Sequence, residues 1–323
     1  MLRTVDIAKK EIESGKPLLL AGTEEVLKTL PRGNWVGGTI PYFMDKAGGV
    51  ISRDLVDVTE LIEPVGLGFI RWYGQDELKD LPANTPDPGF TFLILPAGSQ
   101  AHLEYAQNAP NYPDIFMKPV VGWIAGVLLD DLGKVTPKAV NGKTGELSDV
   151  KGIAMHCRLP EGKIASIGII NMFRQGDGDV ITFPKEGFTA GDCLVNGGKA
   201  NLAEYIVSRA IDTQLPLVAD YCGTMVNVSI QNVDEKMKEV ALYAPVFRSV
   251  EYKFAAPLGD YVKEFTTRLQ GERISPFFTC NCILNFLYSK LEGKKTGAFT
   301  GPITFGEIAY QLLNQTLVYL EVK

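Results

Sequence analysis

The spacing of apolar and polar residues in the first half of the chain changes between helical and extended patterns. Residues 4–14 place Val5, Ala8 and Ile12 on one face of a short amphipathic helix. The apolar run FTFLIL at residues 90–95 is instead typical of a strand that is buried on both faces. Further strand-like runs follow at residues 119–129, 152–159 and 163–173. The first half therefore predicts β-sheets with a few helices.

The second half shows the same mixture after a polar, glycine-bearing segment, RQGDGD, at residues 174–179. Its helical stripes cover residues 200–210 and 258–269, and its strand-like runs cover residues 224–231, 239–243 and 250–254. The regular β-α alternation of a Rossmann fold is missing. We predict an α/β protein, α+β-like in arrangement, with two related domains at residues 1–173 and 174–323. Each domain is expected to contain mainly antiparallel or mixed β-sheets flanked by helices.

Charge and composition exclude several classes of function. The formal net charge is -6 and the isoelectric point is about 5.2, which disfavours nucleic acid as a partner because phosphate binding needs a concentrated basic surface. Hydrophobic residues make up 46% and charged residues 22%, as in an ordinary folded protein. No apolar run approaches the roughly 18–20 residues that a membrane span needs, so we expect no membrane partner.

Cysteine usage and the N-terminus bear on the cellular compartment. The cysteines are Cys157, Cys193, Cys222, Cys280 and Cys282. Their number is odd and no C-x-x-C pair occurs, which favours reduced thiols over a disulfide framework. The N-terminal segment contains acidic residues and lacks the uninterrupted apolar core of a signal peptide. We therefore expect a cytoplasmic protein.

One nucleotide-binding motif and one catalytic motif are each only partly matched. Gly142-Lys143-Thr144 is similar to the end of a phosphate-binding loop, but Pro137 occupies the position where that loop needs glycine. Ser99 has alanine at both positions where a nucleophile elbow needs glycine. We predict neither a nucleotide-binding loop nor a serine nucleophile at these positions.

The two histidines, His102 and His156, lie in separate segments and match no zinc-binding pattern. His156 directly precedes Cys157 on a predicted strand, so their side chains point to opposite faces and cannot form a dyad with each other. We predict a structural or surface role for both histidines. No metal and no cofactor is expected.

The segment Cys280-x-Cys282 is a stronger candidate for chemistry. At the end of a strand the two sulfurs would face the same way, and the helix predicted at residues 283–291 would direct its N-terminal amides toward them. Such amides lower the pKa of a thiol and attract anions. The alternative is that both cysteines are small buried hydrophobic side chains, which is the commonest role of free cysteine.

Polar residues inside apolar runs mark further candidates near the C-terminus. Glu307 follows Gly306 in ITFGEIAY, where a carboxylate could cap backbone amides or accept a ligand amino group. Asn314 and Thr316 are two residues apart and would share one face of a strand. These side chains either satisfy a turn or bind a ligand, and the pattern leaves both interpretations open.

Several of these motifs are similar to those of the FIST domain family. FTCNC at 278–282, TFGEI at 304–308 and NQTLVYL at 314–320 resemble the end of the FIST C-terminal domain. LVNGGKANLAEYI at 194–206 resembles its strand-turn-helix segment. In the first half, WVGGTIPYF at 35–43 and KPVVGWIAG at 118–126 resemble strands of the FIST N-terminal domain. The order of the motifs agrees over nearly the whole chain.

The resemblance implies a divergent, stand-alone sensory module with a FIST_N-like domain at 1–173 and a FIST_C-like domain at 174–323. Such a module binds small molecules, such as amino acids or similar polar metabolites, without catalysis, and passes the signal to a partner protein. We expect glycine backbones to admit the ligand closely, Asn and Thr side chains to bind it, and Glu307 to offset a cationic group. The predicted site residues are Gly37, Gly38, Thr39, Cys280, Asn281, Gly306, Glu307, Asn314 and Thr316.

Two other classes of function remain open from the sequence. One is a cysteine-dependent enzyme with acyl or hydrolytic chemistry, in which Cys280 or Cys282 is the nucleophile. His156 would be its base only if the fold brings the two side chains together. The other is a scaffold protein without a ligand, which would expose a large apolar patch.

Overall fold

The structure is a computed structural model that describes residues 1–221, 223–270 and 273–323. Cys222, one of the five cysteines, lies outside the described residues. The strands up to residue 171 are β1 (Leu2–Thr4), β2 (Leu18–Gly22), β3 (Trp35–Thr39), β4 (Tyr42–Asp45), β5 (Gly48–Ile51), β6 (Leu55–Glu60), β7 (Gly66–Tyr73), β8 (Gly89–Pro96), β9 (Val120–Ala125), β10 (Ala139–Asn141), β11 (Glu146–Ser148), β12 (Gly152–Arg158) and β13 (Ala165–Asn171).

The later strands are β14 (Ile181–Thr182), β15 (Gly187–Ala190), β16 (Asp192–Val195), β17 (Gly198–Asn201), β18 (Leu217–Tyr221), β19 (Thr224–Val228), β20 (Ile230–Asp234), β21 (Glu239–Val246), β22 (Tyr252–Phe254), β23 (Phe278–Cys282), β24 (Gly301–Thr304), β25 (Glu307–Ala309), β26 (Gln311–Leu313) and β27 (Thr316–Val322). The α-helices are α1 (Val5–Glu13), α2 (Glu24–Leu27), α3 (Leu81–Asn84), α4 (Gln100–Asn108), α5 (Leu202–Ser208), α6 (Tyr261–Arg268) and α7 (Ile283–Tyr288). Short 3-10 helices cover Gln75–Asp80, Ala109–Asn111, Ile115–Met117 and Leu129–Asp131.

About 42% of the residues are in strands and about 19% in helices, which confirms the predicted mixed α/β class. The chain forms two compact units. Unit 1 contains Met1–Ile169, Thr266–Leu312 and Leu317–Lys323, and unit 2 contains Ile170–Phe265 and Leu313–Thr316. The first break lies close to the predicted boundary at residues 173 and 174. The return to unit 1 at Thr266 has no counterpart in the prediction of two consecutive domains.

Unit 1 is built on three six-stranded sheets, apart from a few end residues of β13, β26 and β27 that belong to unit 2. Their strand orders are β1-β6-β2-β3-β10-β11, β26-β25-β9-β8-β12-β7 and β13-β27-β23-β24-β4-β5. Each sheet is mixed. One pair of neighbouring strands in each is parallel, namely β2 and β3, β8 and β9, and β23 and β24. Other neighbours, such as β2 and β6, β8 and β12, and β23 and β27, are antiparallel. The last strands of the chain therefore complete sheets of unit 1.

Unit 2 contains a six-stranded sheet in the order β17-β16-β14-β22-β18-β19 and a three-stranded sheet in the order β15-β21-β20. Their strand pairs are antiparallel. The helix α5 begins at an Asn201 cap, whose side chain accepts a hydrogen bond from the Glu204 N–H at 3.2 Å. Asn196 has a φ of 48° and forms, together with Gly197, the turn between β16 and β17.

Local sequence signals explain several elements of unit 1. Thr23 caps α2 and Ser99 caps α4, and their hydroxyl oxygens accept from the Val26 and His102 N–H groups at 3.4 and 3.1 Å. Strand β8, which contains the FTFLIL run, is buried along its whole length. Ala8 and Ile12 of α1 are buried in one hydrophobic cluster with residues of the first sheet.

Candidate functional site

Unit 1 contains a pocket of about 50 Å³ where the carboxyl ends of three strands meet. These are the ends of β2, β3 and β9, since Thr23, Thr39 and Gly126 lie at or directly beyond them. Carboxyl ends of parallel strands commonly carry the ligand sites of α/β proteins. The lining residues are Thr23, Glu24, Glu25, Thr39, Ile40, Pro41, Arg53, Gly126, Val127, Leu128, Asp131 and Val135.

Glu24 is the most strongly engaged acid of this pocket. Its two carboxylate oxygens lie 2.5 Å from the ammonium groups of Lys28 and Lys138. Only 12% of its side chain is exposed. Burial alone would raise the pKa of Glu24, but the hydrogen bonds from Lys138 and Lys28 outweigh it and hold the pKa below its ordinary value. The carboxylate is therefore ionised at neutral pH, and its charge is compensated by two lysines.

Arg53 and Asp131 form the second charged pair of the lining. The guanidinium Nη2 lies 2.8 Å from Asp131 Oδ2, and the Arg53 side chain is 55% exposed. The Arg53 carbonyl accepts a hydrogen bond from the Thr23 hydroxyl at 3.0 Å, which ties the loop between β5 and β6 to the start of α2. The pocket thus has a charged, partly solvated side next to the half-buried Glu24.

Thr39 is the predicted site residue that lines this pocket. Its side chain is buried, and its hydroxyl oxygen accepts a hydrogen bond from the Lys138 N–H at 2.9 Å. Its carbonyl accepts from the Gly126 N–H at 2.7 Å, which joins the ends of β3 and β9. Within the described ranges the hydroxyl proton of Thr39 has no acceptor. One donor therefore remains available at the pocket.

The predicted site residues Gly37 and Gly38 pack against other strands of the protein and do not line the pocket. A Cβ at Gly37 would lie 2.7 Å from the Leu20 carbonyl oxygen. A Cβ at Gly38 would lie 2.7 Å from Ile94 Cγ2 and 2.9 Å from Trp123 Nε1. The close approach at these glycines is that of neighbouring strands, which the sequence cannot distinguish from the approach of a ligand.

Cys280 and Glu307 lie near each other in the core of unit 1. Cys280 is 1% exposed and Glu307 is 0% exposed, and the Cys280 thiol donates to the Gly122 carbonyl at 3.4 Å. Burial, with smaller contributions from Glu307 and Cys282, raises the pKa of Cys280 well above its ordinary value. The expectation that helix α7 lowers a thiol pKa is therefore wrong for Cys280, because desolvation of the thiolate dominates.

Asn281 and Gly306 make hydrogen bonds inside unit 1. The Asn281 side-chain oxygen accepts from the Cys282 N–H at 2.8 Å and from Asn285 Nδ2 at 3.0 Å, at the start of α7. The Gly306 carbonyl accepts from the Ile124 N–H at 2.8 Å and from the Thr304 hydroxyl at 3.0 Å. Both residues hold strand ends in place and neither lines the pocket.

Asn314 and Thr316 belong to unit 2. Strand β27 begins at Thr316, and Gln315 before it has a φ of 50°, so the predicted shared strand face is wrong. The reason is a buried network: the Asn314 side-chain oxygen accepts from the Ser229 N–H at 3.1 Å and from its hydroxyl at 2.6 Å. Asn314 is 2% exposed, as expected for a polar side chain that satisfies a turn.

Both histidines are buried, and both make hydrogen bonds to neighbouring groups of the fold. The two ring nitrogens of His156 lie 2.8 Å from the Tyr73 hydroxyl and 2.8 Å from the Thr91 hydroxyl. His102 Nδ1 accepts from the Gly98 N–H at 3.1 Å at the start of α4. No group of three metal-ligating side chains occurs in the part of the chain that the structure describes.

The nine predicted residues therefore do not form one site. Thr39 lines the pocket, six other predicted residues pack inside unit 1, and Asn314 and Thr316 lie in unit 2. The charged residues Glu24, Arg53 and Asp131 were not predicted. The Thr23 cap and the acidic first turn of α2 were visible in the sequence, but no motif links them to Arg53 or Asp131.

A family model matches the chain over residues 3–323, almost its full length. The chain belongs to the family of unknown function DUF6976. No FIST family model matches, so the resemblance to the FIST family is wrong. The short glycine, Asn and Cys motifs that suggested it serve strand packing and turns in this DUF6976 protein. The chain matches no curated protein.

No helix among the described residues of the DUF6976 chain is both long and apolar enough to span a bilayer.

Proposed function

We propose that this DUF6976 protein is a non-enzymatic binding protein for small polar metabolites such as amino acids. The observation that carries the proposal is the pocket at the ends of β2, β3 and β9, where Thr39 lies beside charged side chains of both signs. Ligand sites commonly combine an enclosed surface with a few convergent polar groups. A sensory role would follow if the bound ligand changes how the protein meets a partner.

The buried cysteines favour binding over cysteine catalysis. A nucleophilic thiol needs a lowered pKa, access to a substrate and a nearby base. Cys280 is almost fully buried with a raised pKa, and both ring nitrogens of His156 are engaged by hydroxyl groups. None of the three requirements of a cysteine-dependent enzyme is supported by these side chains.

A thermal-shift screen of the amino acids and of small polar metabolites tests the proposal. A ligand at about 100 times its Kd adds roughly 2.7 kcal/mol to the free energy of unfolding, which is a readily measured change in Tm. We expect at least one compound to raise the Tm. A screen in which no compound changes the Tm would contradict a binding function.

A blocking variant locates the site. Val135 lines the pocket and is 36% exposed, so Val135→Trp should fill the pocket while the fold is retained. The matched control is Val150→Trp, because Val150 is 59% exposed and does not line the pocket. We expect the first variant to abolish the shift and the second to keep it. Equal shifts in both variants would place the ligand elsewhere.

A further inference from the structure

We propose that the pocket binds a small zwitterion, whose carboxylate is held by the Thr39 hydroxyl and the Arg53 guanidinium and whose ammonium group is held by Asp131 and Glu25. This inference rests on the proposed binding function and adds the chemical class of the ligand and the role of each side chain. It depends on unused hydrogen-bond donors, on the charge balance of the lining and on the size of the pocket.

The first observation is the set of donors left over at the pocket. Thr39 is 3% exposed, and its hydroxyl accepts a bond from Lys138 but donates none within the described residues. Val127, which is 5% exposed, and Leu128 also line the pocket. Their backbone N–H groups donate no hydrogen bond within residues 1–221, 223–270 and 273–323. A buried donor without an acceptor is unfavourable, and an acceptor on a ligand would remove this cost.

Arg53 adds a charged donor to this set. A guanidinium carries five N–H groups. Among the described residues, Asp131 is the one whose side chain pairs with the Arg53 guanidinium. The remaining N–H groups have the fork geometry that binds both oxygens of a carboxylate. Thr39 and Arg53 together therefore offer donors to the two oxygens of one carboxylate group.

The second observation is the charge balance, which disfavours a simple anion. Glu24, Glu25 and Asp131 line the pocket with Arg53, and Lys28 and Lys138 contact Glu24. The lining residues carry three negative charges and one positive charge, and the two lysines that contact Glu24 bring the sum to zero. A ligand with one charge of each sign matches such a lining, whereas a ligand with one net charge meets opposing side chains.

Two of the acids are available to an ammonium group. The Glu25 carboxylate forms no ion pair among the described residues, and Asp131 uses one oxygen toward Arg53. Both oxygens of Glu24 are already engaged by lysines. Because Asp131 contacts Arg53, an ammonium group held by Asp131 and Glu25 would lie next to a carboxylate held by Arg53. In an amino acid the two charged groups are likewise close together, since both are bonded to the same carbon.

The third observation is size. The pocket has a volume of about 50 Å³ that the centres of water-sized spheres can occupy. Each water needs about 10–15 Å³ of this volume, so the pocket holds roughly four waters. A ligand of about five or six heavy atoms has that size. Glycine and L-alanine are therefore the probes of choice, and side chains much larger than a methyl group would have to extend toward solvent.

Isothermal titration calorimetry with matched probes tests the inference on the full chain. The probes are L-alanine, propionate without the ammonium group, ethylamine without the carboxylate, and inorganic phosphate. We expect L-alanine to bind and each of the others to bind at least tenfold more weakly. Phosphate or propionate binding as tightly as L-alanine would show a site for oxyanions alone and overturn the inference.

Variants assign the two donors. Thr39→Val should weaken L-alanine binding about tenfold, and Thr39→Ser, which keeps the hydroxyl, should bind within threefold of the unmodified protein. Arg53→Met should weaken binding at least tenfold. Its control is Arg158→Met at an exposed residue that does not line the pocket. The Tm of each variant without ligand shows whether it is folded.

The outcomes separate this inference from the proposed function. L-alanine binding that survives both Thr39→Val and Arg53→Met overturns the inference. The same holds if other metabolites raise the Tm while glycine and L-alanine do not bind, and in both cases the binding function stands. If no metabolite in the wider screen binds, the proposed function and the inference fail together.

Discussion

His156 Nε2 lies 2.8 Å from the Tyr73 hydroxyl, and this buried contact joins the neighbouring strands β12 and β7. The opposite ring nitrogen lies 2.8 Å from the Thr91 hydroxyl of β8, and Phe69 stacks on the imidazole with 4.3 Å between ring centroids. The histidine thus satisfies two buried hydroxyl groups across three neighbouring strands. Its role in the fold is to stabilise this sheet in the neutral form.

Acid should therefore destabilise the protein before most carboxylates are protonated. Burial, with a smaller contribution from Arg71, lowers the pKa of His156 to about 4, and burial lowers the pKa of His102 to about 4. An unfolded histidine titrates near 6.5, so between pH 6.5 and about 4 the unfolded chain binds more protons than the folded one. The contribution of each neutral histidine to the free energy of unfolding is fully present above pH 6.5. It is lost as the pH falls toward 4, by up to about 3 kcal/mol for each histidine.

Urea unfolding at pH 7.5 and pH 4.5 measures this loss. His156→Gln should remove about half of the pH dependence, since His102 still titrates, and should cost about 1–3 kcal/mol at pH 7.5 because the neighbouring hydroxyls lose partners. His102→Gln is the matched control for the other half. A pH dependence that is unchanged in both variants would show that other groups cause it.

Gly38→Ala should destabilise unit 1 because no space exists for a methyl group. The added Cβ would lie 2.7 Å from Ile94 Cγ2 and 2.9 Å from Trp123 Nε1, and both partners are buried. Overpacking of this kind costs about 1–3 kcal/mol. Gly66→Ala is the control, because its nearest atom would be 3.9 Å away, and it should change stability by less than about 0.5 kcal/mol. Comparable unfolding midpoints for the two variants in urea would contradict this packing.

The sequence predicted the fold class but not the site, and the reason differs between residues. Buried strands such as β8 and the caps Thr23 and Ser99 depend on neighbouring residues, so local patterns reveal them. Gly38 needs close approach of another group, but only the fold shows that Ile94 and Trp123 are the groups that approach it. The charges of the pocket come from segments far apart in the chain, and no spacing rule joins them.

Asn314 shows the same limit for polar residues. A buried Asn-Gln-Thr run indicates that hydrogen-bond partners exist, because unsatisfied buried groups are rare. Its partner is Ser229, 85 residues away in the sequence. The polarity of the run was therefore informative, whereas the choice between a ligand and a protein partner required the tertiary structure.

Asn227 should be essential to the stability of unit 2. Its side-chain amide donates to Asn171 Oδ1 at 3.0 Å and to the Asn314 and Gln315 carbonyls at 3.2 and 3.3 Å, all in a buried network. Asn227→Ala leaves these acceptors without their donor, and we expect a loss of about 2–4 kcal/mol. Hydrogen exchange of residues 224–231 should accelerate. The exposed Asn232→Ala variant is the control, and equal exchange in the two variants would argue against the network.

The described cysteines should react slowly in the native protein. Cys157, Cys193, Cys280 and Cys282 are buried. Burial raises the pKa of Cys193 to about 11 and holds the pKa values of Cys157 and Cys280 well above the ordinary value of a thiol. The thiolate is the reactive form, so little of it exists at pH 7.5 in Cys157, Cys193 and Cys280, and burial limits the access of a reagent to Cys282. We expect iodoacetamide to modify these four residues at least a hundredfold more slowly than an exposed thiol introduced by Val150→Cys, with each site followed by peptide mass spectrometry. Modification in denaturant should be fast at all of them.

Rapid, pH-shifted labelling of native Cys280 or Cys282 would contradict their burial and favour a nucleophilic cysteine over a binding protein.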